Sequence, residues 1–203
     1  MLTWFSFLAD AGWACLAFDV QGHGRDDTGA EANLLIFAED LVAVANFVAR
    51  DPDLSPLPRF VLGHSMGGAA ALLALSWGLG AQAGIISSAF ARTSTLLHHV
   101  LRRWLLPPRL FAPLVRGVWR VRVGRNLEAL EPRRTIGRIG VPLLLIHGTR
   151  DAVIPDREIE RLEAEAPPGT EVLLVEGGGH SDLTEFPAYR DGVLAFLRAA
   201  MQK

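Results

Sequence analysis

Cys15 is the only cysteine in the chain, so no internal disulfide can form and a reducing compartment is the simplest expectation. It stands in the apolar run from Trp13 to Phe18 and is expected to be a small buried side chain, not a reactive thiol. An excess of one charge is also missing. The 20 basic and 22 acidic residues leave a formal net charge of −2, which gives no footing for nucleic acid or for acidic partners in general. No stretch reaches the roughly 18 uninterrupted apolar residues of a membrane-spanning helix. The first eighteen residues are apolar but lack a basic leader, and Asp10 and Gly12 interrupt them. They therefore do not read as a secretory signal, and a soluble cytoplasmic protein is expected. His98 and His99 adjoin without metal-ligand spacing and no other cluster suggests a metal, so neither metal nor cofactor is expected. Repeats and low-complexity tracts are absent.

Half of the 203 residues are apolar, enough for one globular domain spanning residues 1–203. Short apolar runs alternate with longer helical patterns, which predicts an α/β fold: a mostly parallel sheet with helices on both faces. Strands are predicted at Trp13–Phe18, Phe60–Leu62, Gly84–Ser87, Val141–Ile146 and Val172–Val175. Helices are predicted at Leu34–Ala49, Ala69–Trp77, Asp156–Ala166 and Ala188–Met201. Between Arg92 and Arg125 the pattern changes. Eight arginines (92, 102, 103, 109, 116, 120, 122 and 125) occur there without one acidic residue, interleaved with Leu, Val and Trp. Leu97, Leu101, Trp104 and Leu105 fall on one helical face. The preferred reading of this helical insert is a solvated face whose arginines lie over apolar packing.

The strongest local signal is Gly63-His64-Ser65-Met66-Gly67, followed by Gly68. It fits G-x-S-x-G with a strand before it and a helix after it, the context in which a serine sits on a sharp, strained turn. Glycines on either side would leave room for that turn, and the helix start would aim free N–H groups at the oxygen. A serine alone is a poor nucleophile and needs a base. His180 follows the last predicted strand in Gly177-Gly178-Gly179-His180, where it can swing towards a serine on the same sheet edge. A third group must orient the imidazole. Asp151, in His147-Gly148-Thr149-Arg150-Asp151, follows the Val141–Ile146 strand. Such an aspartate is ordinarily a turn residue, but here it completes the chain order Ser, Asp, His.

These pieces, with Ala17-Phe18-Asp19-Val20-Gln21-Gly22-His23-Gly24-Arg25, resemble the α/β-hydrolase superfamily, nearest to bacterial esterases, lysophospholipase-like hydrolases and serine-aminopeptidase-like relatives. The resemblance runs from about residue 10 to the C-terminus. It implies a serine hydrolase cleaving a carboxylic ester or related acyl bond through an acyl-enzyme. Ser65 would be nucleophile, His180 base, Asp151 acid and the Met66 N–H an oxyanion donor, with a small-molecule acyl substrate and no cofactor. The Ala17–Arg25 piece departs from the family loop at Gln21 and Asp26, and His23 is expected to be structural. Residues 92–125 occupy the position of the family's lid. There the arginines could steer an acidic substrate or hold the protein at an anionic membrane surface, the less favoured reading.

The chain also departs from the family at its beginning. Met1 to Ala11 resembles the family's first helix, so the strands that normally precede it, and the His-Gly loop supplying half of the oxyanion hole, are not found. A start codon recorded too late is the favoured expectation. The alternative is a genuine truncation that shifts strands or dimerises, and with it a non-catalytic scaffold or binding protein. Oligomeric state is not legible.

Overall fold

A computed structural model describes residues 2–27, 29, 33–123 and 127–202; Arg125 of the insert lies outside them. Four parallel strands lie in the order β1-β2-β3-β4: β1 Phe60–His64, β2 Ala83–Ser87, β3 Leu143–Gly148 and β4 Glu171–Val175. The helices are α1 Leu2–Asp10, α2 Leu34–Arg50, α3 Met66–Ser76, α4 Thr93–Arg103, α5 Pro108–Val123, the single turn α6 Pro132–Thr135, α7 Arg157–Glu165 and α8 Pro187–Ala200.

Side chains alternate across a strand, and here that alternation sorts the core into two layers. Ile86, Leu143 and Leu145 join Leu72, Leu75, Ile159 and Leu162 beneath α3 and α7. Their neighbours Ile85, Leu144 and Ile146 face the other way, joining Val193, Phe196 and Leu197 of α8 and Leu8 of α1. Every residue of β2 and β3 is buried, as expected of parallel strands covered on both faces. Residues 68–75 of α3 are buried on all sides, the mark of a helix enclosed within a core. The predicted α/β class therefore holds, and four of the five predicted strands form within a few residues of their expected bounds.

The fifth does not form. Residues 13–18 adopt no regular structure, because a strand exists only where a neighbour accepts and donates its backbone hydrogen bonds. Among the described residues nothing pairs with the outer edge of β1. The Trp13 ring instead packs edge-on against Phe60, with ring centroids 5.4 Å apart. Cys15, expected to be buried, is exposed for the same reason. The loop beyond is tied to α2 by Asp40, which accepts from the Gln21 backbone N–H at 2.8 Å and from its side-chain amide at 2.7 Å. His23 packs edge-on against Phe37 at 5.1 Å.

The insert between β2 and β3 is helical, as expected, but α4 ends sooner than predicted. Leu101 is buried, whereas Trp104 and Leu105 lie beyond the helix end and are exposed. The Leu105 and Leu106 N–H groups bond back to Arg102 and Leu101, closing a Schellman-type end in which Leu105 has φ 57°. Glycine is usual at such a position; an L-residue there costs roughly 1–2 kcal/mol. The start of the insert is fastened by Glu158 of α7. Its fully buried carboxylate accepts from the Ala91 and Arg92 N–H groups at 2.9 and 3.0 Å and from the Thr95 hydroxyl at 2.9 Å, and it pairs with Arg161.

Candidate active site

Ser65, Asp151 and His180 follow β1, β3 and β4 respectively. In a parallel sheet those ends share one edge, where open α/β sheets gather their functional loops. The structure brings the three side chains together. Ser65 Oγ lies 3.1 Å from His180 Nε2, and His180 Nδ1 lies 2.8 Å from Asp151 Oδ2.

Each arm has a local cause. Ser65 is held at φ 53° and ψ −118° between β1 and α3, a region that non-glycine residues rarely enter. Its backbone N–H donates to the Ser87 carbonyl at 2.9 Å and its carbonyl accepts from Ala69 at 3.0 Å, so the turn is gripped from both sides. A Cβ on Gly63 would stand 2.6 Å from the Gly67 carbonyl oxygen, and one on Gly68 3.1 Å from the Gly63 carbonyl oxygen. At Gly67 it would meet nothing. The steric demand for glycine thus falls on Gly63 and, more mildly, Gly68, not on both neighbours of the elbow as expected. Met66 is the first residue of α3, so its N–H has no acceptor within the helix.

Asp151 is both turn residue and partner. Oδ1 accepts from the Val153 and Ile154 N–H groups, each at 2.8 Å, and Oδ2 faces His180. Its side chain is fully buried. Burial alone would raise the carboxyl. The bonds from His180, Ile154 and Val153 outweigh it and bring the group from 3.8 to about 2. An ionised carboxylate can only accept, so Nδ1 of His180 is the donor and Nε2 keeps its lone pair towards the Ser65 hydroxyl.

This shift has a consequence for acid stability. As the pH falls below 3.8, the unfolded chain takes up the Asp151 proton before the folded one does. The stabilisation, fully present above that pH, is lost as pH falls towards 2. Urea midpoints at these two pH values should show wild type losing about 2 kcal/mol more than Asp151→Asn. Equal losses would mean that the carboxyl is not held down in the fold.

His180 arrives from the far side of the sheet. Three strand spacings of about 4.8 Å separate β4 from β1, roughly 14 Å, and residues 176–180 cross that gap. The crossing is close. A Cβ on Gly148 would stand 2.6 Å from the Gly178 carbonyl carbon and 2.8 Å from the Gly179 carbonyl oxygen. The Arg150 N–H donates to the Gly178 carbonyl at 2.8 Å, and Asp182 accepts from the Gly179 N–H at 2.6 Å. At the β1 end, His64 Nε2 lies 2.6 Å from the His180 carbonyl oxygen, with the two rings 4.8 Å apart. Burial holds His64 below the ordinary histidine value, a shift only partly opposed by that bond. A carbonyl oxygen can only accept, so the Nε2–H of His64 is the donor. Reasoning from sequence singled out neither His64 nor Gly148 for this work. The only signal was their place beside the other two motifs.

Among the described residues, no group of His, Cys, Asp and Glu is placed to hold a metal ion, and no helix is long and apolar enough to cross a membrane. A sequence profile of the Alpha/beta hydrolase family matches residues 2–191. The uncharacterized protein YfhR of Salmonella typhimurium is 26% identical over 97% of this chain and 65% of its own length. The Escherichia coli K12 protein of the same name is 27% identical over 97% and 64%. The chain thus spans slightly less than two thirds of these relatives. Among solved structures, an esterase of Pyrococcus furiosus superposes with a TM-score of 0.74 at 23% identity, covering 99% of this chain and 75% of that one. A monoacylglycerol lipase of Paleococcus ferrophilus gives 0.64 at 19%, covering 91% and 82%.

Proposed function

The chain belongs to the alpha/beta hydrolase family, and from that premise we propose that it is a serine hydrolase acting on carboxylic esters or related acyl compounds. The observation that carries this reading is the unbroken hydrogen-bonded series from Ser65 Oγ through the His180 ring to Asp151 Oδ2. The esterase and lipase among its structural relatives agree with the acyl class.

In this reading Ser65 Oγ attacks the substrate carbonyl carbon while His180 Nε2 takes the hydroxyl proton. Asp151 keeps the ring in the required tautomer and stabilises the imidazolium. The Met66 N–H, at the positive end of α3, donates to the developing oxyanion; one such donor is worth about 10²–10³ in rate. Collapse of the tetrahedral adduct expels the alcohol, which receives its proton from His180, and leaves the acyl group on Ser65. Water then attacks the acyl-enzyme with His180 again as base, releasing the acid and restoring the serine. Each step uses groups of the chain itself.

The test is covalent. A fluorophosphonate probe should label the folded chain once, with the adduct mapped by mass spectrometry to the peptide containing Ser65. Labelling at another residue would place the nucleophile elsewhere, and none on a chain shown to be folded would favour the non-catalytic scaffold.

A further inference from the structure

We propose that the outer face of α5 and the turn before it form a docking surface for an anionic phospholipid bilayer. An ordinary surface helix turns its apolar stripe inward and its charges out. In α5 the inner side is already occupied: Ala112 is buried, and Trp119 packs on the cluster containing Phe90, Leu130 and Ile154. A second apolar stripe faces solvent. Leu110, Leu114, Val118 and Val121 lie within about 80° of one another around the helix axis and run some 17 Å along it. All four are exposed, Val121 to 85%. Trp104 and Leu105, in the turn that precedes α5, are exposed too, to 73% and 91%. Leu105 also holds the left-handed backbone position that glycine would fill without strain, yet its side chain touches almost nothing in the chain.

The flanks identify the occupant. Arg102 and Arg103 end α4, and Arg109 and Arg120 border the stripe on α5, all four exposed. No acidic residue occurs from Arg92 to Arg125. An apolar face rimmed by cations is the arrangement that lies in the headgroup layer with its side chains among the upper acyl carbons. The cations would be drawn there by negative lipid headgroups. A second copy meeting this face about a two-fold axis would set arginine against arginine. The inference does not depend on the reaction assigned above.

The test is sedimentation of the purified chain with sucrose-loaded vesicles, either of phosphatidylcholine alone or of phosphatidylcholine mixed with phosphatidylglycerol. The chain should pellet with the mixed vesicles, release as salt is raised, and stay in the supernatant when only the neutral vesicles are present. Arg109→Gln combined with Arg120→Gln should weaken partitioning about 30-fold, and Leu114→Asp by at least about tenfold. Both variants change solvent-facing side chains only, and unchanged circular dichroism will establish that they are folded. Failure to pellet with either lipid, or equal binding to both, would overturn the proposal. So would a concentration-dependent oligomer that Leu114→Asp dissolves, since the face would then be an interface between copies.

Discussion

Replacing Ser65 with alanine should lower kcat on a soluble activated ester by about 10⁶-fold, with fluorophosphonate labelling lost altogether. The change removes one oxygen and leaves the turn in place. The bonds that grip residue 65, from its N–H to Ser87 and from its carbonyl to Ala69, are backbone bonds. Alanine tolerates φ 53° no worse than serine does. The single lost contact is the half-buried bond to His180 at 3.1 Å, worth roughly 1 kcal/mol. Thermal unfolding should therefore move little while turnover collapses. A variant that kept its activity would place the nucleophile elsewhere and dismiss Ser65.

Asp151→Asn should lower kcat about 10⁴-fold without unfolding the chain. The reasoning rests on how the two carboxylate oxygens are used. The Val153 and Ile154 N–H groups both point at Oδ1, so an asparagine must keep its carbonyl oxygen there to satisfy two donors. Its amide nitrogen is then left facing His180 Nδ1. Two donors cannot share that bond, so the imidazole shifts its proton to Nε2 and presents N–H, not a lone pair, to Ser65. The turn survives and the base is lost. Steady-state kinetics with circular dichroism on both proteins measures this directly. A loss of only about tenfold would mean that Asp151 serves the turn alone.

The difference between what could and could not be read from sequence follows the range of the interactions. α3 was legible because Gly68 to Leu75 is apolar on every side, and Ser65 because Gly63 and Gly68 approach each other across its turn within a few residues. Those are local facts. The stretch from Trp13 to Phe18 carries the same local pattern as a buried strand, but a strand depends on a neighbour that local pattern cannot supply. Cys15 was misplaced with it. His64 meets the His180 carbonyl across more than a hundred residues, and Gly148 meets Gly178 only because one loop crosses another. Neither approach leaves a periodic trace. In the arginine-rich insert the helical spacing was plain, but spacing alone cannot say which of two apolar stripes is turned to water. Trp104 and Leu105 share the face of the buried Leu101 only in a helix that continues, and α4 ends at Arg103.

The crossing of residues 176–180 over the end of β3 makes the site a gauge of assembly. Ser65 and His180 follow the two outer strands, β1 and β4, so their 3.1 Å approach sums every spacing and rotation between those strands. Adjacent strands turn about 20–25° relative to one another, and three such steps amount to more than 60°. A chain in which β1 had docked without β4, or with its register slipped by one residue, would carry all three side chains and align none of them. Nucleophilic reactivity should therefore appear late in folding, after the last strand has joined, leaving partly folded chains chemically silent.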